Sequence, residues 1–278
     1  MRKFAITQRF YSLLLGGGIL VLTPQLSAHG TLDQAIAKAR KEVAEIGGVS
    51  AKLRLAALLI THEEYEEATE IANACRAAEE PDAFLLLARI ARYQEDEELA
   101  LSHLEKFLTG RPRSAEGYFL RADLLAQKDA AGAALAQGKG IEFAGTAVTS
   151  DQFLKLSSFF VSAGKVDEAL ATLEKALEVN PSHLGLLEEK TRLLYQSGKR
   201  KEALAQLREL RERLPALSFR YWIIEADLLE GDDVATSRIA LERALSSLKE
   251  RGRARALSPA LETLKRDVQL RLANSSKQ

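Results

Sequence analysis

Residues 150–183 read SDQFLKLSSFFVSAGKVDEALATLEKALEVNPSH, two apolar-patterned segments separated by a short turn. In the second segment Leu173 and Ala176 recur at helical spacing, which places them on one face of a helix. Gly164 lies in the turn, and Pro181 ends the second segment because proline cannot continue a helix. The stretch therefore predicts two amphipathic helices joined as a hairpin.

The same pattern recurs along the chain. Pro181 and Pro215 are 34 residues apart, and Pro112 keeps their phase once one inserted residue is allowed. Three columns share this period: the large residues Phe84, Tyr118, Phe153, Leu187 and Tyr221; the small residues Ala100, Ala134, Ala169, Ala203 and Ser237; and Leu104, Gly138, Leu173, Leu207 and Leu241. Because small residues let helices cross closely, the columns predict a stack of similar hairpins.

This 34-residue pattern resembles the tetratricopeptide repeat family. The matching positions in one unit are Phe153, Leu156, Phe160, Gly164, Ala169, Leu173, Ala176 and Pro181. The resemblance covers about residues 49–251 and implies an all-α, right-handed α-solenoid of about six hairpins. Their predicted bounds are 49–80, 81–114, 115–149, 150–183, 184–217 and 218–251.

The ends of such a stack need polar covers, since each terminal hairpin otherwise leaves an apolar face open. Residues 29–48 are predicted to form an amino-terminal capping helix. Residues 252–278 are predicted to form a linker, a carboxyl-terminal capping helix and a tail.

Residues 1–28 have the three parts of a secretory signal peptide: a basic stretch, an apolar run and a short polar tail. Cleavage near Ala28 would make the protein periplasmic or secreted. The apolar run, residues 13–22, is shorter than the roughly 20 residues that span a bilayer. An uncleaved leader remains the alternative, and it would be the chain's only membrane attachment.

Composition and motifs argue against several function classes. Lys+Arg and Asp+Glu both number 39, and loss of Arg2, Lys3 and Arg9 with the leader would leave a net charge of −3. Nucleic-acid binding needs a basic surface, so this charge balance is unfavourable for nucleic-acid binding.

The sequence has no phosphate-binding loop, nucleophile elbow, zinc-protease motif or cysteine pair, which predicts a protein without enzyme activity or cofactor. The only cysteine, Cys75, is interpreted as a buried small side chain.

One alternative function rests on His29. If the leader is cleaved after Ala28, the new α-amino group and the His29 imidazole would lie together and could bind copper. The sequence places no second histidine to complete such a site. Copper handling is therefore kept as the second hypothesis.

Two kinds of charge cluster have structural interpretations. Carboxylates at Glu63-Glu64, Glu66-Glu67 and 95–98 are expected to be solvated turns, because negative charge is favourable at helix amino termini. The run Arg251-Gly252-Arg253-Ala254-Arg255 could contact an anionic partner or a membrane, but an exposed linker is the favoured interpretation.

The family resemblance also implies where a partner would bind. In that fold the inner faces of the first helices form a groove that accepts a peptide or a helix of a partner protein. The positions predicted to face it are Leu85, Arg89, Arg92, Tyr93, Phe119, Asp123, Leu154, Glu188, Arg192, Tyr195, Gln196 and Trp222. Arginine beside aromatic residues is the composition that interfaces favour, although Tyr195 and Trp222 could equally pack between repeats.

Overall fold

The computed structural model describes residues 25–275, with side chains described from residue 31. Over these residues the chain forms fourteen α-helices and no strand. The helices are α1 Gln25–Ile46, α2 Val49–Thr61, α3 Tyr65–Arg76, α4 Pro81–Tyr93, α5 Glu97–Gly110, α6 Ala115–Leu125, α7 Ala130–Ala144, α8 Ser150–Ser162, α9 Val166–Val179, α10 Leu184–Gln196, α11 Arg200–Arg213, α12 Ser218–Leu229, α13 Val234–Ala254 and α14 Pro259–Ser275. Short 3-10 turns, Gly145–Ala147 and Pro215–Leu217, precede α8 and α12.

The helices pair as the repeat period predicts. Six hairpins run from α2–α3 to α12–α13, with α1 before them and α14 after them, and this confirms the all-α repeat prediction. The predicted leader lies largely outside the described residues, so its cleavage stays a prediction. Two boundaries differ: α1 begins at Gln25, four residues inside the predicted leader, and α13 continues to Ala254, three residues into the predicted linker. The Arg251 side chain donates to the Ala216 carbonyl, and this bond holds the end of the helix.

The described chain divides into two compact units, 25–186 and 187–275, with the division inside α10. In the amino-terminal unit, clusters of buried side chains join α1 to α4, then α4 to α6, then α6 to α8. In the carboxyl-terminal unit, similar clusters join α11 to α12 and α12 to α14. Within each unit, the helices of these clusters bury their apolar faces against their neighbours along the chain.

The column of small residues lies at the helix crossings. Ala100, Ala134, Ala169 and Ala203 are all buried, and Ser237 satisfies its buried hydroxyl by donating to the Ala226 carbonyl at 2.8 Å. The leucine column is buried too, except in α7, where Gln137 is fully buried instead of Gly138.

The turns inside the hairpins use two kinds of residue. Gly164 and Gly198 adopt the left-handed backbone conformation, with φ of 75° and 84°. Glu63 and Glu95 adopt it as well, with φ of 66° and 61°, although only glycine does so without steric cost. The first two hairpins therefore have a carboxylate at a turn position where the fourth and fifth hairpins have glycine.

Several second helices begin at a side-chain cap. Asp96, Asp129 and Asp233 each accept a hydrogen bond from the backbone N–H three residues later. These bonds satisfy donors that the first turn of a helix leaves free. They fix where each second helix starts, and with it the length of each turn.

Candidate functional site

A row of ion pairs joins consecutive first helices of the amino-terminal unit. Arg89 on α4 pairs with Glu116 on α6. Arg92 Nη1 lies 3.4 Å from Asp123 Oδ2, and Asp123 also pairs with Lys155 on α8. Three of these five residues were predicted to line the groove, and the structure brings them onto one continuous row of charges.

A cleft of about 370 Å³ opens beside this row. Its lining residues are Leu53, Asp82, Leu85, Leu86, Arg89, Phe107, Arg111, Ser114 and Glu116. Buried side chains such as Leu86 and Phe107 supply the apolar part of the lining. Two ion pairs supply the polar part: Arg89 with Glu116, and Arg111 with Asp82 at 3.2 Å. The arrangement suits one large apolar side chain whose flanking peptide groups meet donors and acceptors.

The two guanidinium groups of the cleft have different surroundings. Burial lowers the pKa of Arg89 below its ordinary value. The hydrogen bond from Arg111 to Asp82 raises the pKa of Arg111. Both groups stay cationic, because an ordinary arginine pKa lies far above neutral pH. The cleft thus presents fixed positive and negative groups side by side.

Tyr93 is the most accessible of the predicted groove residues with a ring. Its side chain is 60% exposed at the end of α4. The ring stacks on Tyr65 with centroids 5.0 Å apart, and so ties α4 to the start of α3. An exposed aromatic ring held in place by a neighbour is a typical interface anchor.

The structure places three other predicted groove residues of this unit differently. Leu85 is buried and forms part of the cleft lining. Phe119 packs at the crossing of α6 and α7, where a Cβ on Gly140 would lie 2.5 Å from its ring. Leu154 is half-buried and lies beside Gly185 at the start of α10. Phe119 and Leu154 do not line the cleft.

In the carboxyl-terminal unit the predicted groove residues bond to one another and to neighbouring helices. Glu188 is buried and accepts hydrogen bonds from Arg220 Nε and Nη2 at 2.6 and 2.8 Å. Arg192 pairs with Glu189 and donates to Gln196 Oε1 at 2.8 Å. These side chains link α10 to α12 and stiffen α10 itself.

Tyr195 is buried as well. Its hydroxyl donates to Asp232 Oδ2 at 3.1 Å, and Arg200 Nη2 donates to the same oxygen at 2.8 Å. Burial, followed by the hydrogen bond to Asp232, raises the pKa of Tyr195. This network fastens the end of α10 to the turn that precedes α13.

Trp222 lies between two guanidinium groups on second helices. Arg211 of α11 stands 3.6 Å from the ring centre and Arg243 of α13 stands 4.7 Å from it. Arg211 also pairs with Glu225, and both partners of that pair are nearly buried. Such contacts are those of packing between repeats, and contact of Trp222 with a partner stays a prediction.

Sequence reasoning missed much of the cleft lining, including Leu53, Asp82, Phe107, Arg111 and Glu116. The spacing of oppositely charged residues in the sequence could have indicated some of these positions. Glu116 follows Arg89 by slightly less than one repeat, and Arg111 follows Asp82 in the same way. Opposite charges at that separation lie on neighbouring helices of a repeat stack and mark the wall between them.

Residues 25–275 contain no group of three metal-ligating side chains that converge, and every helix among them is too short or too polar to span a bilayer. Cys75 is buried, as its sequence context predicts, and burial raises the pKa of its thiol. The His29 side chain lies outside the described side chains, so the copper hypothesis stays a prediction.

Comparisons with known proteins identify the fold. A family model described as "Tetratricopeptide repeat" matches residues 160–228. No curated protein matches the sequence significantly. Among solved structures, the carboxyl-terminal part of a TPR repeat-containing protein from Cytophaga hutchinsonii aligns with a TM-score of 0.60 at 15% identity, covering 79% of this chain and 91% of that one.

Two further solved structures have the same helical arrangement. PilF of Pseudomonas aeruginosa aligns with a TM-score of 0.51 at 18% identity, over 79% of this chain and 97% of its own. PilW, a type IV pilus biogenesis factor, aligns with a TM-score of 0.51 at 17% identity, over 78% and 97%. At these identities the likeness establishes the fold alone, an all-α solenoid of helical hairpins.

Proposed function

Because the chain is a tetratricopeptide repeat protein, we propose that it is a scaffold or adaptor that holds a partner protein or peptide and catalyses no reaction. The observation that carries this proposal is the cleft beside the row of ion pairs on α4, α6 and α8. It combines an apolar lining with fixed charges, and its volume suits one large side chain of a partner.

The binding mode follows from these contacts. An apolar side chain of the partner enters the cleft, and its burial supplies most of the affinity. The pairs Arg89–Glu116 and Arg92–Asp123 exchange some of their mutual bonds for bonds to the partner's peptide groups. Exposed ion pairs contribute little to stability, so this exchange costs the fold little. Tyr93 extends the contact beyond the cleft.

We place this scaffold outside the cytoplasm, in a complex of the cell envelope. The support is the signal-peptide pattern of residues 1–28. Intact mass measurement of the protein recovered from cell fractions tests this placement. The expected chain begins at His29 and is found in the periplasmic or secreted fraction. A full-length chain in the cytoplasmic fraction would refute export without bearing on the cleft.

Site-specific photocrosslinking tests partner binding. A photoreactive residue at Arg92, beside the cleft, is expected to capture one partner in cells. The matched control is Glu105, an exposed residue on α5 in the same hairpin. The substitution Arg89→Glu reverses a charge at the cleft and should abolish the adduct while leaving the helical circular dichroism spectrum unchanged. Equal capture from Glu105, or an adduct that survives Arg89→Glu, would contradict the proposal.

A further inference from the structure

The two units of the chain carry opposite net charges. Residues 187–278 contain 19 Lys+Arg against 14 Asp+Glu, whereas residues 29–186 contain 17 against 25. The net charge of the whole chain is therefore close to zero although the carboxyl-terminal part is basic and the amino-terminal part is acidic. Such a partition favours association between unlike parts of two molecules.

The basic charge is most concentrated at the end of α13. We call Lys249, Arg251, Arg253 and Arg255 the arginine edge; all four residues are exposed. Arg251 is held by the Ala216 carbonyl and by the Phe219 ring. Within the described residues, no carboxylate lies within ion-pair distance of Lys249, Arg253 or Arg255. The partial negative charge at the carboxyl terminus of a helix favours a cation in the last turn. That partial charge is too small to account for four cationic side chains there.

The acidic charge is concentrated at the first two hairpin turns. We call Glu63, Glu66, Glu95 and Glu98 the acidic edge; they too are exposed, and none forms an ion pair within the described part of the chain. The Tyr65–Tyr93 stack holds the two turns next to each other, because it joins the start of α3 to the end of α4. The exposed Tyr93 ring therefore lies where these two turns meet.

The acidic edge is kept at a cost in backbone strain. Glu63 and Glu95 are in the left-handed conformation that Gly164 and Gly198 take in later hairpins. A side chain there costs about 1 kcal/mol relative to glycine. Both turns of the acidic edge thus carry a glutamate at a strained backbone position.

We infer that the arginine edge of one molecule docks on the acidic edge of a second copy of the same chain. Guanidinium groups bind carboxylates by charge-assisted hydrogen bonds and lie favourably over an aromatic ring. The acidic edge offers carboxylates, in Glu63 and Glu95, and an aromatic ring, in Tyr93. Because the two edges are different surfaces, the contact is heterologous and extends into rings or open chains. The acidic edge shares the Tyr93 ring with the partner contact proposed above, but none of its carboxylates lines the cleft.

The first test is the molar mass of the full-length protein in solution. Light scattering should show assemblies at about 0.01 M ionic strength and monomers at about 1 M, because salt screens exposed charges. Arg253→Glu/Arg255→Glu should give monomers at both. The matched control, Lys201→Glu/Arg208→Glu, makes the same change in net charge on exposed residues of α11 and should still assemble.

A mixing experiment identifies the two edges. The Arg253→Glu/Arg255→Glu variant retains its acidic edge, and a Glu63→Lys/Glu95→Lys variant retains its arginine edge. Each should be monomeric alone, and their mixture should assemble. Tyr93→Ala should weaken assembly of the otherwise unchanged chain about fivefold.

Several outcomes would overturn the inference. A wild-type monomer at low salt, equal loss of assembly in the Lys201/Arg208 control, or a mixture that stays monomeric would each do so. So would a monomer whose arginine edge binds vesicles of anionic lipid, since a membrane would then be its partner. Unchanged circular dichroism melting of every variant shows that folding is not the cause.

Discussion

Two arginine–carboxylate pairs, one from each unit of this protein, have opposite surroundings. In the amino-terminal unit the side chains of Arg92 and Asp123 are 51% and 25% exposed. In the carboxyl-terminal unit those of Arg211 and Glu225 are 12% and 14% exposed, and Arg211 also covers the Trp222 ring. The pair of the amino-terminal unit is therefore exposed to solvent, whereas the pair of the carboxyl-terminal unit is part of the packing between helices.

This difference in exposure distinguishes ion pairs that can bind a partner from ion pairs that stabilise the fold. An exposed pair exchanges its bonds with a partner at little cost, because its own contribution to stability is small. A buried pair cannot do so, since removing either member leaves a desolvated charge. The predicted groove residues of the amino-terminal unit are thus the better candidates for partner contact, and those of the carboxyl-terminal unit mainly hold its helices together.

The largest expected effect comes from breaking the buried pair. Arg211→Ala leaves the Glu225 carboxylate unpaired and uncovers one face of Trp222, so the free energy of unfolding should fall by about 3 kcal/mol. Arg92→Ala, in the exposed pair, should cost less than about 1 kcal/mol. Urea unfolding followed by circular dichroism measures both. Equal losses would remove the distinction between the units.

A smaller effect is expected from pH, through Asp227 of the carboxyl-terminal unit. Burial raises the pKa of Asp227 to about 6, although Arg271 Nη2 lies 2.6 Å from its Oδ1 and opposes the shift; Glu230 and Asp267 add to it. A raised folded-state pKa means that the folded chain binds the proton more tightly. This stabilisation is fully present below the ordinary value of 3.8 and is lost as pH rises through about 6.

The comparison with Asp227→Asn isolates this group from other carboxylates. From pH 7 to pH 5 the wild type should gain roughly 1.4 kcal/mol relative to the variant. Urea unfolding followed by Trp222 fluorescence is suitable, because Trp222 is the only tryptophan of the chain and lies on the same helix as Asp227. Parallel stability curves for the two proteins would show that the pKa of Asp227 does not change on folding.

The smallest expected effect concerns the hairpin turns. Glu95→Gly should stabilise the amino-terminal unit by about 1 kcal/mol, because glycine adopts the left-handed conformation without strain. Gly198→Glu should destabilise the carboxyl-terminal unit by a similar amount. Thermal melting checks both substitutions. A lower melting temperature for Glu95→Gly would show that the glutamate at this turn is not strained.

Much of the fold was predictable from residue columns. The alanine and leucine columns of the second helices are buried where the 34-residue period predicts, because every hairpin packs against its neighbours in the same way. The third hairpin was harder. Its leucine-column position is Gly138, and the adjacent Gln137 is buried instead, with its amide donating to the Gln152 carbonyl at 3.1 Å. A column of apolar residues does not indicate a buried amide of this kind.

The candidate site was predictable in part. Arg89 and Arg92 could be assigned to the first-helix face from their positions in the repeat, and the structure places both on the row of ion pairs. The rest of the cleft lining could not be assigned in this way. Phe107 and Arg111 come from a second helix and the loop after it, and they reach the cleft only because α5 packs against α4.

The sequence by itself determined the helical hairpins, their period and the opposite charges of the two halves, since these depend on the spacing and type of side chains along the chain. Only the tertiary structure decided which arginines face water and which cover Trp222. Burial depends on the residues that neighbouring helices bring against a position, and those neighbours lie about one repeat away in the sequence.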